Sequence, residues 1–349
     1  MTRIPVTVLG ATGVVGQRFV RRLANHPLFE LCQLAASERS SGKRYDEACE
    51  WRLGGEPYAG FGASLLAPCE PEKALSPIVF SALDAGPARD IEPAFAAAGA
   101  LVFSNASAFR MEADVPLIVP ELNAAHLVLI KTQKARRGWK GAIVCNPNCT
   151  TTVALGALGP LYRAFGMELA MLTSMQAISG AGYPGVSALD ILGNVIPFIR
   201  GEEEKVEEET RKILGTLRNQ AIEPAGFAIS AQCNRVSVAD GHTLCISARL
   251  GGAPEPDDVM QALLDFVPDS AAYALHSAPH AFLELRGEAD RPQPRHDVES
   301  GGGMTLQIGR IRACPVLGAK LVVLGHNAER GAAGGSILNA ELAVAGGYL

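Results

Sequence analysis

The sequence predicts an α/β protein with two domains: an N-terminal doubly wound parallel sheet, and a C-terminal α+β domain with a largely antiparallel sheet. Strands alternate with helices up to about residue 148, which is the pattern of a parallel sheet. Beyond that point the strand-like runs become longer, as at 168–178 and 242–250. A chain of 349 residues also exceeds the size at which a single core keeps growing, so two domains are expected.

Composition excludes several classes of protein. Hydrophobic residues make up 48% of the chain and charged residues 19%, which indicates a well-buried globular protein. The net charge of −5 gives no sign of a nucleic-acid surface, and no apolar run is long enough to span a membrane. The eight cysteines are scattered without a CxxC pair, so we predict neither a metal site nor a disulfide framework. Because a strand begins almost at the N-terminus, leaving no room for a signal peptide, we expect reduced thiols and a cytoplasmic location.

The first strand leads into a glycine-rich turn. A short β-branched strand at 6–9 is followed by the sequence GATGVVG at 10–16 and then by a helical pattern. Gly10 permits a tight turn, Gly13 lets the backbone approach a pyrophosphate, and Gly16 allows the helix to pack closely on the strand. This context favours a Rossmann-like dinucleotide site. The alternative is a glycine turn in some other α/β protein.

The end of the second strand, at 31–36, bears on the choice of cofactor. Glu38 is placed to bind a ribose 2′-hydroxyl, as in an NAD enzyme. Ser37, Arg39 and Ser40 offer hydroxyls and a guanidinium, which suit a 2′-phosphate better. The alternative is an ordinary solvated loop. NADP is favoured over NAD.

The rest of the first domain continues the alternation of strands and helices. Strands are predicted at 78–83, 100–104, 116–119 and 142–145, and a helix at 87–98. Residues 105–110 follow the carboxyl end of a strand, where ligands bind on such sheets. Arg110 in that segment is a candidate phosphate ligand, with a surface arginine as the alternative. The basic stretch 131–140 is expected to be a solvated excursion.

The boundary between the domains carries a candidate nucleophile. Pro147 ends the strand at 142–145, and Asn148 is a suitable N-cap for a helix that runs to about Phe165. Cys149 would lie in the first turn of that helix, where unpaired N–H groups and the helix dipole favour a thiolate. The alternative is a small buried hydrophobic residue.

The second domain supplies candidate partners for this thiol. A charged helix at 201–212 places Glu202 and Lys205 on one face, although an exposed helix with favourable charge pairs explains most of its residues. A predicted strand carries Arg235, which suits a carboxylate. An Asp-Gly turn follows, and His242 then opens the next strand as a candidate proton donor and acceptor. A structural histidine is the alternative.

Taken in order, these motifs resemble those of aspartate-semialdehyde dehydrogenase, in particular its archaeal and fungal branch, over nearly the whole chain. The segments that carry the resemblance are GATGVVG at 10–16, ASERS at 36–40, NPNCT at 146–150, SGAGYPG at 179–185, EEEK at 202–205, RVSVADGH at 235–242, RPQPR at 291–295 and GAAGGS at 331–336. The resemblance implies a reversible, NADPH-dependent reductive dephosphorylation of 4-phospho-L-aspartate to L-aspartate 4-semialdehyde. This reaction serves the biosynthesis of lysine, threonine, methionine and isoleucine.

The resemblance also implies roles for individual residues. Cys149 would be the acyl-forming nucleophile, His242 the acid and base, and Gln176 the residue that orients the thiol or the intermediate. For the substrate, Arg235 would bind the α-carboxylate and Glu202 the amino group, while Lys205 and Arg110 would hold the phosphate beside Asn105. For the cofactor, the expected contacts are Gly10, Thr12, Gly13, Val14 and Val15 at the phosphates, Ser37, Arg39 and Ser40 at the 2′-phosphate, and Ser179, Gly180, Gly182 and Asn327 towards the nicotinamide.

The same resemblance suggests the domain limits and the partners. Residues 1–148, completed by a C-terminal helix at about 331–349, would form the NADP-binding domain, and residues 149–330 the catalytic and dimerisation domain. A homodimer or homotetramer is expected, with inorganic phosphate as a second ligand. N-acetyl-glutamyl-phosphate reductase and malonyl-CoA reductase share this architecture, but Glu202 favours a substrate with a free amino group. A non-catalytic nucleotide-binding protein of the same fold is the remaining alternative.

Overall fold

The first domain is built on a six-stranded parallel sheet. The computed structural model describes residues 2–73 and 76–349. Within them the strands are β1 Ile4–Leu9, β2 Phe29–Ala36, β3 Ala67–Pro68, β4 Ile78–Ser81, β5 Leu101–Ser104 and β6 Ala142–Cys145, in the order β3-β2-β1-β4-β5-β6. The strand order reverses direction at β1 and β4, which are neighbours. The predicted doubly wound parallel sheet is therefore confirmed, and ligands of such sheets bind at this reversal.

Helices cover both faces of this sheet. They are α1 Val14–Leu23, α2 Tyr45–Ala48, α3 Ala85–Ala98, α4 Pro120–Asn123 and α5 Leu129–Arg137. The helix α1 begins one residue after Gly13, directly behind the glycine turn. The predicted helix at 87–98 is confirmed and starts two residues earlier, at Ala85.

Two predictions in this domain are wrong. Residues 116–119 form no strand and make only a single bridge, between Leu117 and Cys145, because Pro120 already begins α4. The basic stretch 131–140 lies largely in α5 and not in an excursion from the fold, although its Lys131, Arg136 and Lys140 are exposed as expected. Its Gln133 is fully buried and makes hydrogen bonds with both the N–H and the carbonyl of Ile143, so tertiary contacts hold the helix against β6.

The second domain is built on a mixed sheet of six strands. These strands are β7 Met167–Gln176, β10 Ala228–Arg235, β11 His242–Leu250, β12 Leu283–Arg286, β13 Leu306–Cys314 and β14 Gly318–Gly325, in the order β10-β7-β11-β14-β13-β12. The two outer pairs are parallel and the three central pairs are antiparallel, as the prediction of a largely antiparallel sheet requires. A separate hairpin joins β8 Thr216–Arg218 to β9 Ala221–Glu223.

The helices of this half of the chain are α6 Cys149–Phe165, α7 Ala188–Ile191, α8 Glu202–Ile213, α9 Pro256–Leu264, α10 Pro294–Asp297, α11 Ser300–Gly303 and α12 Gly334–Ala345. The helix α6 contributes Val153 and Leu158 to the core of the second domain and Leu155 to a core of the first domain. It therefore lies at the junction of the two domains. In the part of the chain that the structure describes, no helix is long and apolar enough to cross a membrane.

The chain returns to the first domain at its end. A π-helical turn, Glu329–Ala333, leads into α12, and Ile337, Ala340 and Ala343 are buried in the same core as strands β1 and β4. The prediction that residues 331–349 complete the first domain requires this packing. The same packing brings the π-helical turn back to the start of α6.

Candidate active site

The nucleophile candidate lies where a strand of the first sheet ends and α6 begins. The side chain of Asn148 accepts hydrogen bonds from the N–H groups of Thr150 (2.8 Å) and Thr151 (3.1 Å), which makes it the predicted N-cap. Cys149 is therefore the first residue of α6, at the carboxyl edge of the parallel sheet. The local sequence sets this geometry, because the cap and the helix start are adjacent residues.

His242 contacts the sulfur from the second domain. The Nε2 atom of His242 lies 3.2 Å from Sγ of Cys149, and the imidazole is fully buried. The Nδ1 atom accepts a hydrogen bond of 3.1 Å from the backbone N–H of Ala177. Because Nδ1 is an acceptor, the neutral ring carries its proton on Nε2, and this proton faces the sulfur.

Burial shifts the pKa values of both members of this pair. It raises the pKa of Cys149 to about 12, an effect that the nearby charge of Glu202 reinforces and those of Arg110 and Arg235 oppose. Burial and the charge of Arg235 lower the pKa of His242 to about 3. Burial thus favours the neutral thiol and the neutral imidazole. The expectation that the helix start favours a thiolate stays a prediction, which burial opposes and the charges of Arg110 and Arg235 support.

Arg235 lies beside the same histidine. It is the last residue of β10, it is buried, and its Nη1 atom donates to the carbonyl of Ala177 at 2.7 Å. A Cβ atom at Gly180 would lie 2.9 Å from Nη1 of Arg235 and 3.2 Å from Cε1 of His242. The loop after β7 thus runs close over both side chains, which the absence of a side chain at Gly180 permits.

The helix α8 contributes a carboxylate and an amine to the site. Glu202 is buried and accepts a hydrogen bond from the hydroxyl of Thr150 at 3.0 Å. The Nζ atom of Lys205 lies 3.8 Å from Oε2 of Glu202. By contrast, Glu204 and Glu208 on the same helix are exposed. The alternative of a simple exposed helix therefore holds for its outer face only.

Arg110 and Asn105 lie at the first-domain side of the site. Arg110 is buried, and its Nη2 atom donates to the carbonyl of Asn105 at 2.7 Å. Its Nη1 atom donates to Glu209 at 3.0 Å, and the second oxygen of Glu209 accepts the backbone N–H of Asn148 at 2.6 Å. Sequence analysis did not select Glu209. Its signal was its position seven residues after Glu202, which places both on one face of a helix.

These groups surround a cleft of about 530 Å³ between the two domains. The predicted site residues that line it are Val14, Val15, Asn105, Arg110, Cys149, Ser179, Gly180, Gly182, Glu202, Lys205, Arg235 and Asn327. The structure thus brings together residues from seven separate stretches of sequence. Arg200 also lines the cleft, as an exposed cation that sequence analysis did not select.

Gln176 lies near the site without lining the cleft. It is the last residue of β7, pairs with Arg235 across the parallel ladder, and is buried. Its Nε2 atom donates to the hydroxyl of Ser174 at 3.1 Å. The role of Gln176 in orienting the thiol or the intermediate stays a prediction.

The remaining predicted cofactor residues lie at the adjoining edge of the first sheet. Gly10 has a φ of +71°, and a Cβ there would lie 2.8 Å from the carbonyl of Ala82, so the turn needs glycine. Gly13 is exposed at the start of α1, where no side chain among the described residues caps the first N–H groups. These N–H groups therefore fit a phosphate, which binds at such helix starts. Thr12 belongs to the same turn.

The predicted 2′-phosphate residues follow β2. Ser37 and Arg39 are exposed and Ser40 is half-buried, in a turn closed by the N–H of Ser40 on the carbonyl of Ser37 at 2.9 Å. Among the residues predicted to lie towards the nicotinamide, the Nδ2 atom of Asn327 donates to the hydroxyl of Ser179 at 2.9 Å. This hydrogen bond joins the glycine loop after β7 to the segment before the π-helical turn.

Comparison with known proteins matches the whole chain. The family described as semialdehyde dehydrogenase, NAD binding domain, matches residues 5–130, and that described as semialdehyde dehydrogenase, dimerisation domain, matches residues 158–329. The aspartate-semialdehyde dehydrogenase of Archaeoglobus fulgidus is 49% identical over 98% of both chains. That of Methanothermobacter thermautotrophicus is 47% identical over 97% of this chain and 98% of its own. A crystal structure of the Candida albicans enzyme with NADP covers all of both chains at 42% identity, with a TM-score of 0.91.

Proposed function

The chain belongs to the aspartate-semialdehyde dehydrogenase family of oxidoreductases, and we propose that its cleft reduces 4-phospho-L-aspartate to L-aspartate 4-semialdehyde through an acyl-enzyme on Cys149. The observation that carries this assignment of residues is the 3.2 Å contact between Sγ of Cys149 and Nε2 of His242, made at the junction of the two domains. The nucleophile comes from one domain and its partner from the other. Cys149 lines the cleft, and a substrate bonded to its sulfur comes close to the histidine.

The proposed reaction starts at the sulfur. The sulfur of Cys149 attacks the acyl carbon, the bond to the phosphate oxygen breaks, and the thiol proton leaves with the departing inorganic phosphate, so that a thioester remains. A thioester accepts a hydride more readily than a carboxylate does, so covalent capture divides a difficult reduction into two easier steps. The Nε2–H of His242 points at the sulfur and is within reach of the oxygen of a group bound there. It is placed to stabilise that oxygen as negative charge develops.

The substrate groups match the charges around the cleft. Arg235 suits the α-carboxylate, and the buried carboxylate of Glu202 suits the amino group. Lys205 and Arg110 also line the cleft and supply cations for the phosphate. Glu202 also favours this substrate over an acyl donor with a blocked or absent amino group.

We propose NADP as the cofactor, because the uncapped start of α1 fits a pyrophosphate and the turn after β2 offers Ser37, Arg39 and Ser40 to a 2′-phosphate. When bound, the cofactor supplies the hydride. Val14 and Val15 line the cleft next to the helix start, and Ser179, Gly180, Gly182 and Asn327 also line it. The chain thereby offers the cofactor a channel that leads from the glycine turn to Cys149.

The match to a dimerisation domain indicates a homo-oligomer. A homodimer or homotetramer is proposed, and the exposed apolar side chains of Leu189, Leu192 and Phe198 within the matched region support it. The proposed location is the cytoplasm, because all eight cysteines are free thiols and Cys149 acts only when reduced.

The test is the phosphate-dependent oxidation of L-aspartate 4-semialdehyde with NADP, measured beside the reduction of malonyl-CoA with NADPH. We expect turnover of the semialdehyde that requires phosphate, and its loss in Cys149→Ala with NADPH binding retained. Cys245→Ala, at an exposed cysteine on β11, is the matched control and should retain full activity. Preference for the CoA ester, or turnover by Cys149→Ala, would contradict the proposal.

A further inference from the structure

One buried carboxylate joins the two halves of the site. Glu209 is almost fully buried, and its two oxygens contact two different groups. Oε1 accepts from Nη1 of Arg110 at 3.0 Å, and Oε2 accepts from the backbone N–H of Asn148 at 2.6 Å. Arg110 lines the cleft, and Asn148 caps the helix that begins at Cys149. The carboxylate therefore connects the proposed phosphate cation to the start of the nucleophile helix.

The surroundings make this connection rigid. Arg110 is itself buried, and its Nη2 atom is held by the carbonyl of Asn105 at 2.7 Å. Two of its guanidinium nitrogens, Nη1 and Nη2, are thus held by acceptors of the protein. The Nε atom of Arg110 is buried and has no hydrogen-bond partner within the described residues. A buried guanidinium that lost Glu209 would keep an uncompensated charge and would move.

A carboxylate is needed at this position because both neighbours are donors. An arginine N–H and a backbone N–H each require an acceptor. An ionised carboxylate offers one acceptor oxygen to each of them and carries no proton of its own that would face a donor. The backbone N–H of Asn148 also lies at the start of α6, where N–H groups lack partners within the helix. Glu209 therefore satisfies an orphan donor and orients a cation at the same time.

We propose that Glu209 is a positioning residue that holds Arg110 at the phosphate subsite in a fixed position relative to Cys149. It acts through Arg110 and Asn148 and does not itself contact the substrate. The inference rests on the proposed function, since it assigns a phosphate to the Arg110 side of the cleft. Its distinctive consequence is selective: loss of Glu209 should weaken the use of phosphate more than the use of aspartate semialdehyde or of the cofactor.

The experiment compares Glu209→Gln with the wild-type enzyme in the phosphate-dependent direction. A glutamine retains one acceptor and places an NH₂ donor against one of the two donors, so one contact must break. We expect the KM for inorganic phosphate to rise about tenfold or more, as the loss of a hydrogen bond to a charged group implies. The KM for aspartate semialdehyde should stay within about twofold over the same measurement.

Matched variants separate positioning from folding. Glu208→Gln, at an exposed residue of the same helix, should leave every constant unchanged. Glu209→Asp keeps both carboxylate oxygens on a side chain that is one methylene shorter. Its KM for phosphate should therefore lie between that of Glu209→Gln and that of the wild-type enzyme. In an Arg110→Ala background the phosphate effect of Glu209→Gln should disappear, because Glu209 acts through Arg110.

A second readout does not depend on turnover. Phosphate in the cleft should slow the alkylation of Cys149 by iodoacetamide, and Glu209→Gln should raise the phosphate concentration needed for half-protection. If wild-type protein shows this protection but no dehydrogenase activity, the proposed function is wrong. The comparison of half-protection between the wild-type protein and Glu209→Gln then still tests the inference about Glu209. An equal rise in all three KM values, an unchanged phosphate KM, or a Glu209→Asp variant no better than Glu209→Gln would each overturn the inference.

Discussion

A single methyl group added at Gly331 should displace the nucleophile. Gly331 lies in the π-helical turn before α12, where its N–H donates to the carbonyl of His326 at 3.0 Å. A Cβ atom there would lie 2.7 Å from Cβ of Cys149 and 3.0 Å from its Cα. Carbon atoms in contact normally stay about 3.5 Å apart or more, so Gly331→Ala requires a separation of roughly 0.8 Å between the turn and the start of α6.

The consequence for activity follows from that distance. A misplacement of about 1 Å in a catalytic constellation can cost roughly a hundredfold in rate, so we expect kcat to fall by one to two orders of magnitude. Overpacking of this kind also destabilises a fold, typically by about 1–3 kcal/mol. The protein should therefore remain folded with its activity reduced by this factor, and with a melting temperature lowered by several degrees.

The assay is steady-state oxidation of aspartate semialdehyde, with a thermal melt of each variant. Gly226→Ala is the matched control, because Gly226 is exposed and a Cβ there would have no neighbour within 4 Å. A kcat for Gly331→Ala within about threefold of the wild-type value would refute the reasoning, because the expected displacement of Cys149 should lower kcat by more than that.

Two further predictions concern the thiol and the cofactor. Burial raises the pKa of Cys149 to about 12, and a raised acid pKa keeps the neutral thiol to higher pH. Alkylation of Cys149 by iodoacetamide should therefore still be rising at about pH 10, where a free thiol of pKa about 8.5 has levelled off, and a plateau below pH 8 would contradict this. Arg39→Ala should raise the KM for NADPH about tenfold by removing a charged hydrogen bond, with the KM for NADH unchanged. Arg249→Ala, an exposed arginine of the other domain, is the control, and equal effects on both cofactors would exclude Arg39 from the 2′-phosphate site.

Features set by neighbouring residues were predictable from the sequence. The strand before Cys149, the Asn148 cap and the length of α6 up to Phe165 all appear where the sequence places them. Each depends on hydrogen bonds within a few residues, so local composition determines it. The glycine turn before α1 is predictable for the same reason, because tight turns and close helix packing demand glycine locally.

Predictions that ignored distant partners were less accurate. Residues 116–119 look like a strand in isolation, but Pro120 starts a helix and leaves only a single bridge at Leu117. The basic stretch at 131–140 looks solvated, yet Gln133 anchors it to Ile143. The first error had a local signal in Pro120, whereas the second required the tertiary contact between Gln133 and Ile143.

The sequence by itself determined the family, the order of the elements and the chemical character of the candidate site, because these depend on residue types and their spacing. Only the tertiary structure decided that Glu209 joins Arg110 to Asn148, and that Gly331 packs on Cys149. It also decided the burial that raises the pKa of Cys149, which the helix start alone does not reveal. These features depend on which distant segments meet and on how much water they exclude, and neither quantity is a property of any local stretch of chain.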